Sequence, residues 1–331
     1  MKLFFSMILL FGSLFANSQQ DDFVNNILKS SGVKLDFNAL NDGKILSIAR
    51  EDQEQTDSSI ALSMVLYVKA PYKEVLADLK KSSSRLSDYK HAFSQEIKDT
   101  KNIEQYFRKA VLLKDEEDEV EKLMDYDGGN TFNLSKQEIT LLNKFKNDKE
   151  TLASDFFKTV LINRTQMYLK NGINGISAYE HSDSGDTLED GFKKSTLGMK
   201  VFKQDFADMY NYYIHYPKSK PTKEMSEKFF VLKDKVDGRV AFILKHQIIE
   251  QKNNITLIAE RQFYISNSLN GIQTQILCAP YKNGTLVALS TQSYTDKVTG
   301  FSRGIAVKVG RSIMKRQILP MFEMLENKFN K

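Results

Sequence analysis

In the last third of the chain, apolar-rich runs are cut at regular intervals by Asp237-Gly238, Asn253-Asn254, Asn270-Gly271 and Asn283-Gly284. Asn-Gly and Asp-Gly tolerate the positive backbone angles that two-residue hairpin turns require. The runs between them, Phe229–Lys233, Arg239–Glu250, Ile255–Asn267, Ile272–Cys278 and Thr285–Ser293, are therefore predicted to form a five-stranded antiparallel meander. One long amphipathic helix follows, over roughly Arg303–Lys328. Gly304, Ala306, Gly310 and Ser312 near its start allow close approach to a sheet, and Pro320 is expected to kink it.

Earlier in the chain, Lys44–Arg50 and Ser59–Lys69 read as strands, the second rich in Ile, Leu, Met, Val and Tyr. Ala70-Pro71 ends it, and a helix with Val75, Leu76 and Leu79 on one face is predicted from Tyr72 to Lys81. From about residue 100 to 216 the pattern is mostly helical. Ser135 with Glu138 three positions later forms a capping box. The helix Leu152–Lys170 is expected to stop at Asn171-Gly172. The fold class is thus α+β: an antiparallel β-meander closed by a long C-terminal helix, with a mainly helical insertion at about 83–223 in a single domain over 19–331. This helix-grip layout resembles the START-like lipid-binding superfamily, which implies a cavity between the sheet and its last helix.

The first residues change the expected location. Lys2, the apolar run from Leu3 to Phe15 and the small residues Ala16 and Ser18 have the form of a secretory signal peptide, residues 1–18, cleaved before Gln19. The run is short of the ~20 apolar residues that a transmembrane helix needs. The expectation is a periplasmic or secreted bacterial protein. Without Lys2 the chain carries 46 basic and 42 acidic residues, a mild excess that implies no nucleic-acid partner. Its single Cys278 excludes an internal disulfide, and in a predicted strand it reads as a buried thiol.

Several stretches resemble an uncharacterised family of exported bacterial proteins: residues Gly129–Leu142, Tyr168–Tyr179, Phe229–Ile249, Arg261–Ser266 and Gly300–Gly304. The family's Lys–acid pair before a Gly turn is matched by Lys233-Asp234 and Gly238, and its strand histidine by His246. Gln262, Tyr264 and Ser266 match its Gln-x-Tyr-x-Ser pattern. Asp296, Gly300-Phe301 and Arg303 match its Gly-Phe turn. The chain departs from the family at Asn267 and Ser268, where relatives have His and Tyr, and at Thr291–Tyr294. The resemblance implies no activity.

Four histidines, at 91, 181, 215 and 246, stand in no metal-binding spacing. No nucleophile elbow, phosphate loop or dinucleotide fingerprint occurs, so no cofactor, metal or catalytic set is expected. At strand period, His246 shares an apolar face with Phe242, Leu244 and Ile248. It is either a core histidine satisfied by a polar neighbour or a contact to a ligand in a cavity. On the next strand, Gln262, Tyr264 and Ser266 are expected on one face with Thr256 and Glu260. Arg261 falls on the apolar face, either paired with a carboxylate or available to an anionic head group, because a buried unpaired charge is costly. The acidic run Asp115–Glu119 reads as a solvated helix face. Lys308, Arg311 and Lys315 form a basic stripe that is either solvated or in contact with an anionic membrane.

The reading these patterns support is a non-catalytic binder of a lipid or other apolar small molecule, with His246, Arg261, Gln262, Tyr264, Ser266 and Arg303 as candidate ligand-binding residues. Each buried methylene contributes about 0.8 kcal/mol, so such a site needs few special side chains. The alternatives are an enzyme using His246, Tyr264 and Arg303, or a protein-interaction module with a collapsed cavity.

Overall fold

The computed structural model describes residues 21–22, 24–27, 35–54, 58–82, 89–146, 152–181, 187–197, 199–252, 254–295 and 303–330. The expected signal segment 1–18, and Asp296 and Gly300-Phe301 of the family pattern, lie outside them. The strands are β1 (Leu46–Ala49), β2 (Ser59–Val68), β3 (Phe93–Glu96), β4 (Met225–Val236), β5 (Arg239–Lys252), β6 (Ile255–Ile265), β7 (Gly271–Tyr281) and β8 (Gly284–Tyr294). They form one open antiparallel sheet in the order β1-β2-β8-β7-β6-β5-β4-β3. The helices are α1 (Phe37–Asn41), α2 (Tyr72–Ser82), α3 (Glu117–Met124), α4 (Lys136–Phe145), α5 (Leu152–Asn171), α6 (Leu188–Leu197), α7 (Lys200–Asp205), α8 (Ala207–His215) and α9 (Arg303–Phe329). The protein is α+β, and Pro320 is accommodated within a continuous α9.

The meander turns follow the local sequence in part. Val236 pairs with Arg239 across Asp237 and Gly238, whose φ angles of 51° and 80° are those of a two-residue hairpin turn. The next hairpin uses Asn254 at φ 58°. At the other two expected turns the chain differs. Lys282 takes the positive φ before Gly284 pairs with Tyr281, and Ser268 takes it between β6 and β7. Gly271 instead opens β7, where a Cβ would lie 2.5 Å from Cζ of Phe192. Its smallness admits α6 to the sheet rather than making a turn.

Two further features were not legible as local pattern. The insertion contains β3, whose four half-buried residues (Phe93, Ser94, Gln95, Glu96) pair with β4. It is too short and too polar for alternation to reveal it. At the opposite edge, β2 pairs along its whole length with β8, from Ser59 with Tyr294 to Val68 with Thr285. The opening strands thereby become part of the meander's sheet.

The sheet is covered on both faces. On the first, α5, α6 and α8 bury an aromatic-rich core in which Phe157 lies 5.0 Å from Phe242 and Tyr168 stacks on Phe263 at 3.9 Å. On the second, α2 and α9 pack mainly on β2, β7 and β8 through aliphatic side chains such as Leu62, Leu66, Val75, Val287, Met314 and Leu325. No helix among the described residues is long and apolar enough to cross a membrane.

Candidate functional site

Alternation places Glu227 and Phe229 of β4, His246 of β5 and Arg261 of β6 on the first face, beneath α5 and α8. They form a chain of hydrogen bonds. Arg261 Nη1 donates to the Tyr168 hydroxyl at 3.1 Å, Tyr168 lies 3.0 Å from His246 Nδ1, and His246 Nε2 lies 3.2 Å from Glu227 Oε2. A guanidinium can only donate. The Tyr168 oxygen therefore accepts from Arg261, its proton goes to Nδ1, and Nε2–H donates to Glu227. Tyr212 adds a hydrogen bond to Glu227 at 2.7 Å. Burial holds the His246 imidazole below its ordinary pKa, with the Glu227 hydrogen bond opposing in part, so the ring is neutral. Burial likewise raises Tyr168, against the opposing effect of Arg261.

Arg261 is 1 % exposed and its partners are neutral. Besides Tyr168 it donates to the Tyr213 carbonyl at 3.3 Å and to Gln273 Oε1 at 3.2 Å, and its guanidinium lies 3.9 Å from the Tyr213 ring centroid. Gln273 continues to the Phe192 carbonyl and to Ser195 and Thr196 of α6. The charge is stabilised by three acceptors and a π face in place of a carboxylate.

A second buried guanidinium sits nearby in the same layer. Arg164 of α5 grips Glu138 at 2.8 and 2.6 Å, and Glu138 simultaneously completes the capping box of α4 with Ser135. Arg164 lies 4.3 Å from the Tyr264 ring centroid. Neither Arg164 Nη1 nor the Tyr264 hydroxyl has a protein partner among the described residues. The acidic run also differs from expectation. Glu116 is buried against Lys233 at 2.6 Å, and Glu119 is buried against Arg239 and Asn267. Two of its five acids therefore tie α3 and the turn before it to the sheet, because β4 and β5 present cations there that the helix must neutralise.

The second face carries a different arrangement. Lys245 Nζ and Glu260 Oε1 lie 3.1 Å apart, both nearly buried, and Gln247 donates to the same oxygen at 2.7 Å. Beside them Phe230, Leu232, Ile243, Ile265, Leu269 and Ile272 belong to an apolar cluster separate from both main cores. All its members come from β4 to β7 and their connections; among the described residues it includes no helix side chain.

The six candidate residues therefore divide. His246, Arg261 and Tyr264 share the first face, whereas Gln262 lies opposite Lys245 on the second. The expected common face of Gln262 and Tyr264 is broken by a bulge: Lys245 pairs with Gln262 but Leu244 with Tyr264, so Phe263 is the extra residue. Ser266 is held by the backbone of β5, its Oγ accepting from Phe242 N at 3.0 Å. Arg303 lies at the start of α9, 3.8 Å from Glu54, so the trio His246, Tyr264 and Arg303 is not gathered at one point. Lys245, Gln247 and Glu260 are not singled out by any sequence motif; their only local signal is an alternating Lys-x-Gln on one strand and a Glu on the next. An open hollow of about 390 Å³ on α3, lined by Asp118, Glu121, Asp125 and Asp127 among others, presents no buried polar atom lacking a partner. Among the described residues no cluster of His, Cys, Asp and Glu is placed to hold a metal. Comparison with family models, curated proteins and solved structures finds no match.

Proposed function

We propose that this is an exported, non-catalytic binding protein for a lipid or other apolar small molecule, with a START-like arrangement of sheet and last helix. The ligand's apolar part lies on the second face along β4–β7, and its polar head meets Lys245, Glu260, Gln247 and Gln262. The observation that carries this reading is the separate apolar cluster of Phe230, Leu232, Ile243, Ile265, Leu269 and Ile272, which adjoins a buried ion pair and, among the described residues, has no helix side chain within it. Ligand pockets characteristically combine an apolar wall with a few convergent polar groups. Each fully buried Leu, Ile or Phe contributes about 1.5–3 kcal/mol, enough for several such side chains to hold a hydrocarbon. The first-face residues His246 and Arg261 then serve the fold, since both are already hydrogen-bonded to protein groups.

The test is saturable binding of an apolar fluorescent probe and of a fatty acid. Ile243→Ala is expected to weaken both beyond what its loss of stability explains, whereas the first-face substitution His246→Gln changes stability and leaves both affinities of the folded protein unchanged. Binding that is absent, or that follows stability equally for both variants, overturns the reading.

A further inference from the structure

The outward face of α9 carries chemistry that neither core uses. From Arg303 to Leu319 the helix contains five cations and no acid; its first acidic residue, Glu323, lies beyond Pro320. Two of the cations are turned to the protein: Arg311 bonds Glu51 and Glu54, and Arg303 approaches Glu54. Lys308, Lys315 and Arg316 are exposed and have no acidic partner among the described residues. Beside them, one turn apart on the same face, stand Ile305 at 72 % and Val309 at 53 % exposure, the two most exposed large hydrophobic side chains among the described residues. The opposite side of the same helix is firmly seated through Val307, Gly310 and Met314.

We propose that this face docks the protein on an anionic lipid surface. A helix lying in the plane of a membrane interface places apolar side chains below the head groups and Lys and Arg at the level of the phosphates. Ile305 and Val309 supply the first, and Lys308, Lys315 and Arg316 the second. An acidic protein partner would be matched by the cations but gives no reason for two bare aliphatic side chains beside them. Because α9 is anchored through its other side, docking requires no unfolding. The inference is independent of the ligand site on β4–β7.

The experiment is co-sedimentation of the protein with vesicles of phosphatidylcholine alone and of phosphatidylcholine mixed with phosphatidylglycerol. Binding is expected only to the mixed vesicles and is lost at high salt, as charges at a surface are screened. Lys308→Gln, Lys315→Gln and Arg316→Gln are each expected to lower affinity roughly fivefold. Ile305→Ser with Val309→Ser weakens binding further without reducing its salt dependence. All are surface changes, and an unchanged melting temperature verifies the fold. No binding to the mixed vesicles at low salt, equal binding to neutral vesicles, or affinity indifferent to these substitutions overturns the proposal. Because probe binding to Ile243 variants is measured without vesicles, failure of one proposal leaves the other standing.

Discussion

On the face beneath α5, α6 and α8 the sheet buries His246, Arg261 and Gln273 among aromatic rings, each hydrogen-bonded to protein. On the opposite face it buries aliphatic side chains and an ion pair, Lys245 with Glu260. The first arrangement is closed and specific. Tyr168 links Arg261 to His246, and the direction of each hydrogen bond from Arg261 to Glu227 is fixed. The second is non-directional, held by apolar contact that accepts any partner of suitable shape. A surface of the second kind can exchange a protein contact for a ligand; one of the first kind loses hydrogen bonds if it does.

The largest expected effect tests the closed face. Arg261→Ala removes the donor that serves Tyr168, Gln273 and the Tyr213 carbonyl, leaving Gln273 Oε1 with Thr196 alone, and opens a cavity; it should cost about 3–5 kcal/mol in urea unfolding. A loss within experimental error would show that the network is incidental. On the other face, replacing both Lys245 and Glu260 by Met removes a buried pair together with its desolvation cost. Stability should stay level or rise by about 1–4 kcal/mol, while discrimination between polar-headed and plain hydrocarbon probes disappears. A double variant that unfolds would make the pair structural and weaken the comparison.

Two tyrosines sharpen the contrast within the first face. Tyr168→Phe should cost about 1–3 kcal/mol, since it strands Arg261 Nη1 and His246 Nδ1. Tyr264→Phe, which removes a hydroxyl with no partner among the described residues, should be nearly neutral by comparison. The same urea series measures both. The smallest effect concerns pH. The native protein keeps His246 neutral, with its pKa below the ordinary 6.5, whereas the unfolded chain protonates it. The unfolded chain then binds more protons, so this histidine lowers stability as pH falls below about 6.5, and the effect levels off once the folded imidazole titrates. Above that pH it contributes nothing. His246→Gln should remove this part of the slope, and an unchanged slope would show that the ring is not held neutral.

Much of the architecture was written in local sequence because the forces that set it are local. Asp237-Gly238 accepts the angles of its turn, Ser135 and Glu138 cap α4 reciprocally, and period-two alternation puts His246 beside Phe242, Leu244 and Ile248. The candidate residues were harder to read because alternation carries only as far as a strand is regular. One extra residue at Phe263 moved Tyr264 to the face of Arg261 and away from Gln262, and no residue type in Arg261–Ser266 announces that bulge.

The sequence alone determined the α+β class, the meander of β4 to β8 and the final helix, since alternation, turn chemistry and amphipathic spacing act over a few residues. Only the tertiary structure decided that β2 pairs with β8 and β3 with β4, that Glu116 and Glu119 are buried ion-pair partners, and that Arg261 is stabilised by Tyr168, Tyr213 and Gln273. Those outcomes depend on groups far apart in the chain. The choice among partners for a buried charge is made by whichever complementary group the packed layers bring within hydrogen-bond distance.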